Sequence, residues 1–133
     1  MTRINANIDP ASLHRRHLVA ELREITMVPA ALKRSMRTKS TEAILKSIPK
    51  VFTLNAGHVK FFYDKQAFLR YRFDRLTAEM ERRGYAPDRD RKKAFYGFGK
   101  EWNNNWEPTI EDNDLIQARI SLRISQKPHL YKD

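Results

Sequence analysis

The stretch SLHRRHLVAELREITMVPAALKRSM, residues 12–36, decides the fold. Leu18, Leu22 and Ile25 recur at i, i+4 and i+7, the spacing that gathers apolar side chains on one face of a helix. Ser12 offers an N-cap hydroxyl at the start, and Pro29, having no N–H to give, kinks or divides the helix. Further along, Leu69, Phe73, Leu76 and Met80 form a second stripe, in a helix that begins near Asp64 and ends around Arg83, with Gly84 placed to stop it. A third helix follows Pro108 and spans about Asp112 to Gln126, carrying Ile116, Ile120 and Ile124 at successive i+4 steps. The run NAGHVKFFYDK, residues 55–65, has the length and apolarity of a brief strand, but no other stretch offers it a partner. The expected fold is therefore all-α: a compact single domain, residues 1–133, of three main helices with long irregular loops.

Composition bounds the function. At 133 residues, with 41% hydrophobic and 11% aromatic residues, the chain can bury a core without staples. It has no cysteine, which excludes a disulfide framework and cysteine-ligated zinc or iron–sulfur sites. No run approaches the roughly 20 apolar residues of a membrane span, and no apolar segment follows the opening Met1-Thr-Arg-Ile-Asn5. A cytoplasmic protein with no membrane and no obligate protein partner, acting as a monomer, is expected. Charge points to the partner: 26 Lys and Arg against 16 Asp and Glu leave +10, with a pI near 10.1. A small domain so basic suits a polyanion, nucleic acid first, with an anionic membrane or an acidic protein as alternatives.

Several residues have the chemistry for a site. On the first helix His17, Glu21 and Glu24 share one face, beside Arg16, Ala20 and Arg23 on the next. That pattern fits a solvated, ion-paired surface or an acid–base group next to a phosphate site. Arg119, Arg123 and Lys127 make a basic stripe on the third helix, and residues 89–93, RDRKK, read as a basic solvated loop. Phe61, Phe62, Tyr63, Phe95, Tyr96, Phe98, Trp102 and Trp106 are expected mostly in the core, with stacking on bases as the other use. His14, His17 and Glu21 have helical metal-ligand spacing, but so weak a signal leaves no metal and no cofactor expected. His58 and His129 read as structural. No phosphate-binding glycine loop or serine-nucleophile motif is present. One further nucleophile is the α-amine of Thr2, which a small residue at position 2 would expose by allowing removal of Met1. Its reference pKa, about 7.7–8.0, leaves a useful neutral fraction, and Arg3 and Arg23 would lower it by like-charge repulsion.

Three blocks carry a resemblance. The opening Met1-Thr-Arg-Ile-Asn5 with His17, Leu18, Ala20, Glu21, Arg23 and Glu24 is the first. Ala56-Gly-His-Val59, Phe61 to Lys65 and Phe68-Leu-Arg70 make the second. Gln117-Ala-Arg119 with Arg123, Pro128, Tyr131 and Lys132 makes the third. In this order they closely resemble the pyrimidine-dimer DNA glycosylases known as phage endonuclease V, over most of the chain outside roughly residues 85–102. The resemblance implies a compact helical enzyme that needs no metal and acts on double-stranded DNA containing a lesion. It would cut the glycosidic bond at ultraviolet-induced dimers and then the abasic site by β-elimination. Thr2 and Glu24 would be its catalytic pair, an amine nucleophile and an essential carboxylate. Arg3, Arg16, His17, Arg23, Arg119, Arg123, Tyr131 and Lys132 would be its DNA-binding residues. The family bends the duplex and extrudes the base opposite the lesion, an unstacking that is least costly at damaged DNA.

Departures fall at the DNA surface. Met27 stands where the family has an arginine, Arg16 where a glutamine is usual, and Arg123 where a lysine is. Leu130 replaces a tryptophan, and the aromatic continuation of the tail is missing after Asp133. Two alternatives therefore stand beside a dimer glycosylase: the same chemistry on another lesion or modified base, and a non-catalytic DNA-binding protein on the same fold.

Overall fold

The computed structural model describes residues 3–132, and among them the secondary structure is helical, with no strand. Thr2, the expected nucleophile, lies outside the described residues. The first predicted helix is divided into α1 (Arg15–Glu24) and α2 (Met27–Met36). Pro29 explains the break: in a continuous helix its N–H would bond the Ile25 carbonyl, and it has none. Val28 N–H reaches the Ile25 carbonyl instead, at 3.4 Å. The break leaves Glu24 as the last residue of α1. The N-cap of α1 is His14, whose Nδ1 accepts the Arg16 N–H at 3.1 Å, and not Ser12, which closes the preceding 3-10 turn Pro10–Ser12.

Two helices absent from the sequence reading follow, α3 (Thr41–Ser47), N-capped by Ser40, and the single turn α4 (His58–Phe61). The run 55–65 is thus one helical turn, His58–Phe61, between turns, and its only strand-like trace among the described residues is an isolated bridge between Lys65 and Asn103. Helix α5 (Gln66–Arg82) starts from Lys65 rather than Asp64. Its C-terminus turns as the sequence indicates. Gly84 sits at φ +93°, its N–H donates to the Glu81 carbonyl and the Tyr85 N–H reaches back to Met80, both at 3.0 Å. Helix α6 (Ile110–Gln126) begins two residues before the expected Asp112, because Thr109 is the cap and Asp112 completes a capping box with it, each side chain accepting the other's N–H at 3.0 Å.

The stripes meet in one core. Leu18, Leu22, Ile25, Leu69, Phe73, Leu76, Met80, Ile116 and Ile120 are buried, and Ile124 is partly so. Each fully buried side chain of this size contributes roughly 1.5–3 kcal/mol. The aromatics complete it: Phe61, Phe62, Tyr63, Phe95 and Trp102 are buried, Phe98 and Trp106 pack against them, and Tyr96 is exposed. Helix α1 packs on α5 and on α2, and α5 also packs on two 3-10 turns, Pro10–Ser12 and Arg89–Phe95. Arg83 locks the first of these turns in place, donating from Nη2 to the carbonyls of Leu13 (2.7 Å) and Pro10 (3.2 Å) while Nε pairs with Glu79.

Candidate nucleic-acid interface

One cleft of about 410 Å³ opens between α1, α6 and the N-terminal segment. Helix α1 supplies His17, Glu21 and Glu24, the face the sequence singled out, together with Arg16 and Ala20 of the neighbouring face but not its Arg23. Helix α6 supplies Arg119, Ile120 and Arg123; Arg3 and Asn5 come from the N-terminal segment, and Tyr131 from the turn after α6. Residues more than a hundred positions apart thus share one surface, and cations outnumber carboxylates along it.

The floor of the cleft is a buried polar network. Glu21 and Arg72 are both sealed from solvent and pair through two hydrogen bonds, Nε to Oε2 at 2.8 Å and Nη2 to Oε1 at 2.9 Å. Asn5 adds two donors to the same carboxylate, its N–H (3.2 Å) and its Nδ2 (2.9 Å). Arg72 Nη1 donates to the Ile8 carbonyl at 2.6 Å. Arg119 Nη2 then donates to Asn5 Oδ1. Sequence reasoning missed Asn5 and Arg72, yet one signal was available: position 72 lies on the apolar stripe of α5, three residues after Leu69 and four before Leu76. An arginine there needs a buried acid.

Above this floor three nitrogens are buried without a hydrogen-bond partner: Arg3 Nη1, Arg119 Nη1 and His17 Nδ1. Buried donors without partners are costly in an apolar setting, so their convergence on one cleft marks a place prepared for acceptors. Burial is the main cause that lowers the pKa of Arg3, and it brings Arg119 down to about 10, with Arg3 adding to the effect. His17 is lowered by burial first and then by His14, Arg119 and Arg123, which favours its neutral form. Its ring stacks on Tyr131, centroids 4.8 Å apart, and His14 meets the same tyrosine edge-on at 5.1 Å.

Glu24 lines the cleft half-buried. Burial raises its pKa above the usual carboxylate value, opposed by Arg23 and by the charge and backbone N–H of Arg3, which hydrogen-bonds it. A carboxyl group held in this balance is suited to taking up and releasing a proton. Arg23 itself is exposed and is not part of the lining, and its carbonyl accepts from Arg91 Nη2 at 2.9 Å. Lys132 lies in a neighbouring depression with Leu13, His14, Arg15 and Arg83, behind the Tyr131 wall. Met27, at the start of α2, is exposed. Among the described residues no cluster of His, Asp and Glu can hold a metal ion. The Glu21 carboxylate is taken by Arg72 and Asn5, and His14 Nδ1 by its cap. No helix of the described residues is long and apolar enough to cross a membrane.

The family model for pyrimidine dimer DNA glycosylases matches residues 1–93, a range that takes in α1 and the N-terminal wall of the cleft but stops short of α6. The fold supplies the remainder, because Asn5 and Glu21 of the matched range tie Arg119 to the same site. With more than two thirds of its length matched, the chain belongs to the pyrimidine dimer DNA glycosylase family of DNA-repair enzymes.

Proposed function

We propose that the protein excises a damaged base from ultraviolet-irradiated duplex DNA and cleaves the resulting abasic site, through an imine on the α-amine of Thr2. The supporting observation is the position of Glu24, half-buried in an arginine-lined cleft and hydrogen-bonded to the Arg3 N–H. Thr2 directly precedes Arg3 in the chain.

With Met1 removed, the neutral amine attacks C1′, the C1′–N bond breaks, and the base leaves with its electron pair and a proton. Loss of a proton from the amine and opening of the sugar ring give the imine. Removal of a C2′ proton then breaks the C3′–O bond and expels the 3′ phosphate, and water hydrolyses the imine to free the enzyme. Glu24 stabilises cationic sugar character and carries the protons, a task helped by its raised pKa. Arg3, Arg16, His17, Arg119, Arg123 and Tyr131 line the cleft that takes the extruded nucleotide and its phosphates, with Arg23 and Lys132 outside its lining as further contacts for the flanking backbone. The shallow, charged shape of the site suits a duplex that brings one nucleotide inward.

A borohydride trap tests this directly. Protein of verified N-terminal mass is mixed with irradiated duplex and with duplex bearing one abasic site. A reduced adduct mapping to the N-terminal peptide on both substrates supports the reading. An adduct on the abasic duplex alone would leave the chemistry and replace the lesion, and none from Met1-free protein would leave a DNA-binding protein without catalysis.

A further inference from the structure

The network beneath the cleft is arranged to hold a cation without neutralising it. Glu21 accepts four hydrogen bonds, two from Arg72 and two from Asn5, which uses its lone-pair capacity and cancels its charge against Arg72. The Asn5 amide has no freedom in this setting. Its Nδ2 must face the carboxylate, so its Oδ1 must face away, where Arg119 Nη2 donates to it. Arg119 is therefore anchored at one edge by a neutral acceptor, while Nη1 on the other edge is buried without a partner. A carboxylate in place of the amide would fix the same guanidinium but would cancel its charge toward an anionic ligand.

We infer that Asn5 is a positioning residue for DNA binding: through its side-chain amide it aims the unpartnered edge of Arg119 at a backbone phosphate in the cleft, keeping the full charge of the guanidinium available. The inference rests on the reading of the cleft as the DNA site. The lowered pKa of Arg119 accords with it: burial is the largest cause, Arg3 adds to it, and together they outweigh the carboxylates of Glu21 and Glu24, which act in the opposite direction. Arg72 and Glu21 act one step further back, by holding the amide in its single orientation.

A double-mutant cycle on the full chain separates positioning from simple structural support. Asn5→Ala, Arg119→Ala and the double variant are compared for binding to duplex DNA with one abasic site at low salt, alongside melting temperature. Loss of one charge-assisted contact corresponds to roughly tenfold in affinity, and each single variant should lose about that much. The double variant should bind no worse than Arg119→Ala alone, while the melting-temperature losses need not overlap. Multiplied affinity losses in the double variant, or unchanged affinity in Asn5→Ala, would overturn the positioning role with the DNA reading intact. Unchanged affinity in Arg119→Ala would overturn the DNA reading at this residue and the inference with it. Should Asn5→Ala fail to fold, Asn5→Ser, which retains a donor for Glu21, replaces it in the same cycle with the same expected overlap.

Discussion

Arg72 on α5 and Glu21 on α1 meet inside the protein as a bidentate pair, at 2.8 and 2.9 Å, with neither side chain reaching solvent. The pair joins the helix that bears Glu24 to α5, one of the two 17-residue helices. Removing one partner leaves a buried charge uncompensated, which costs roughly 3–5 kcal/mol. Arg72→Met should therefore lower unfolding free energy by about that much, a large share of the roughly 5–15 kcal/mol that native proteins have in total. Urea unfolding checks this, and a loss below about 1 kcal/mol would mean that the pair contributes little.

Glu24→Gln should abolish cleavage of abasic duplex while the variant still binds it. Burial disfavours the carboxylate, so the ionised form appears only at higher pH than the ordinary 4.5. The acid limb of the wild-type single-turnover rate should accordingly lie above pH 4.5. A profile flat through that region, or loss of binding in Glu24→Gln, would assign the residue a structural role.

His58 should make the fold acid-sensitive. Its Nδ1 donates to the Thr53 carbonyl (2.8 Å) and its Nε2 accepts the Ile4 N–H (2.9 Å), so the ring is buried neutral and pins the N-terminal segment. Burial depresses its pKa from 6.5 to about 4, with Arg119 and Arg3 acting in the same direction. Between those values the unfolded chain binds a proton that the folded one does not, so stability is lost as pH falls through this window and is intact above it. The loss from pH 7 to pH 4 is on the order of 3 kcal/mol. Stability of wild type and His58→Gln, measured across that range, should differ in slope; parallel curves would count against the assignment.

Arg123, on the exposed rim of the cleft, should act as a phosphate contact. Arg123→Ala should lower the slope of log affinity against log salt by about 0.9, one counterion. An unchanged slope would remove Arg123 from the interface.

Much of this molecule is legible in its residues one after another. The 3.6-residue stripes at Leu18, Leu22 and Ile25 and at Leu69, Phe73, Leu76 and Met80 locate two helices, because a helix repeats in sequence as it does in space. The face of α1 with His17, Glu21 and Glu24 was visible for the same reason, and these residues do line one cleft, joined there by Arg16 from the next face. Boundaries were less legible. Pro29 offered a kink or a division, and the chain divides, four residues earlier, where the carbonyl that proline cannot serve is located. The basic run at 89–93 read as solvated loop, yet Arg91 in it clamps the end of α1 through the Arg23 carbonyl and Thr26.

By itself the sequence determined an all-helical chain, its basic charge, and the residue types that face one side of α1. Only the tertiary structure decided which of those residues work together. Glu21 and Glu24 are a single turn apart on one helix face, and nothing local separates their chemistry. Packing does: α5 brings Arg72 against Glu21 and commits it to the core, while among the described residues no guanidinium forms such a buried pair with Glu24, which stays at the cleft, held by the Arg3 N–H, with its proton affinity raised by burial. The same packing carries Arg119 across more than a hundred residues to Asn5. Local propensity acts between neighbours a turn apart, and contacts over that distance along the chain exist only once the core has closed.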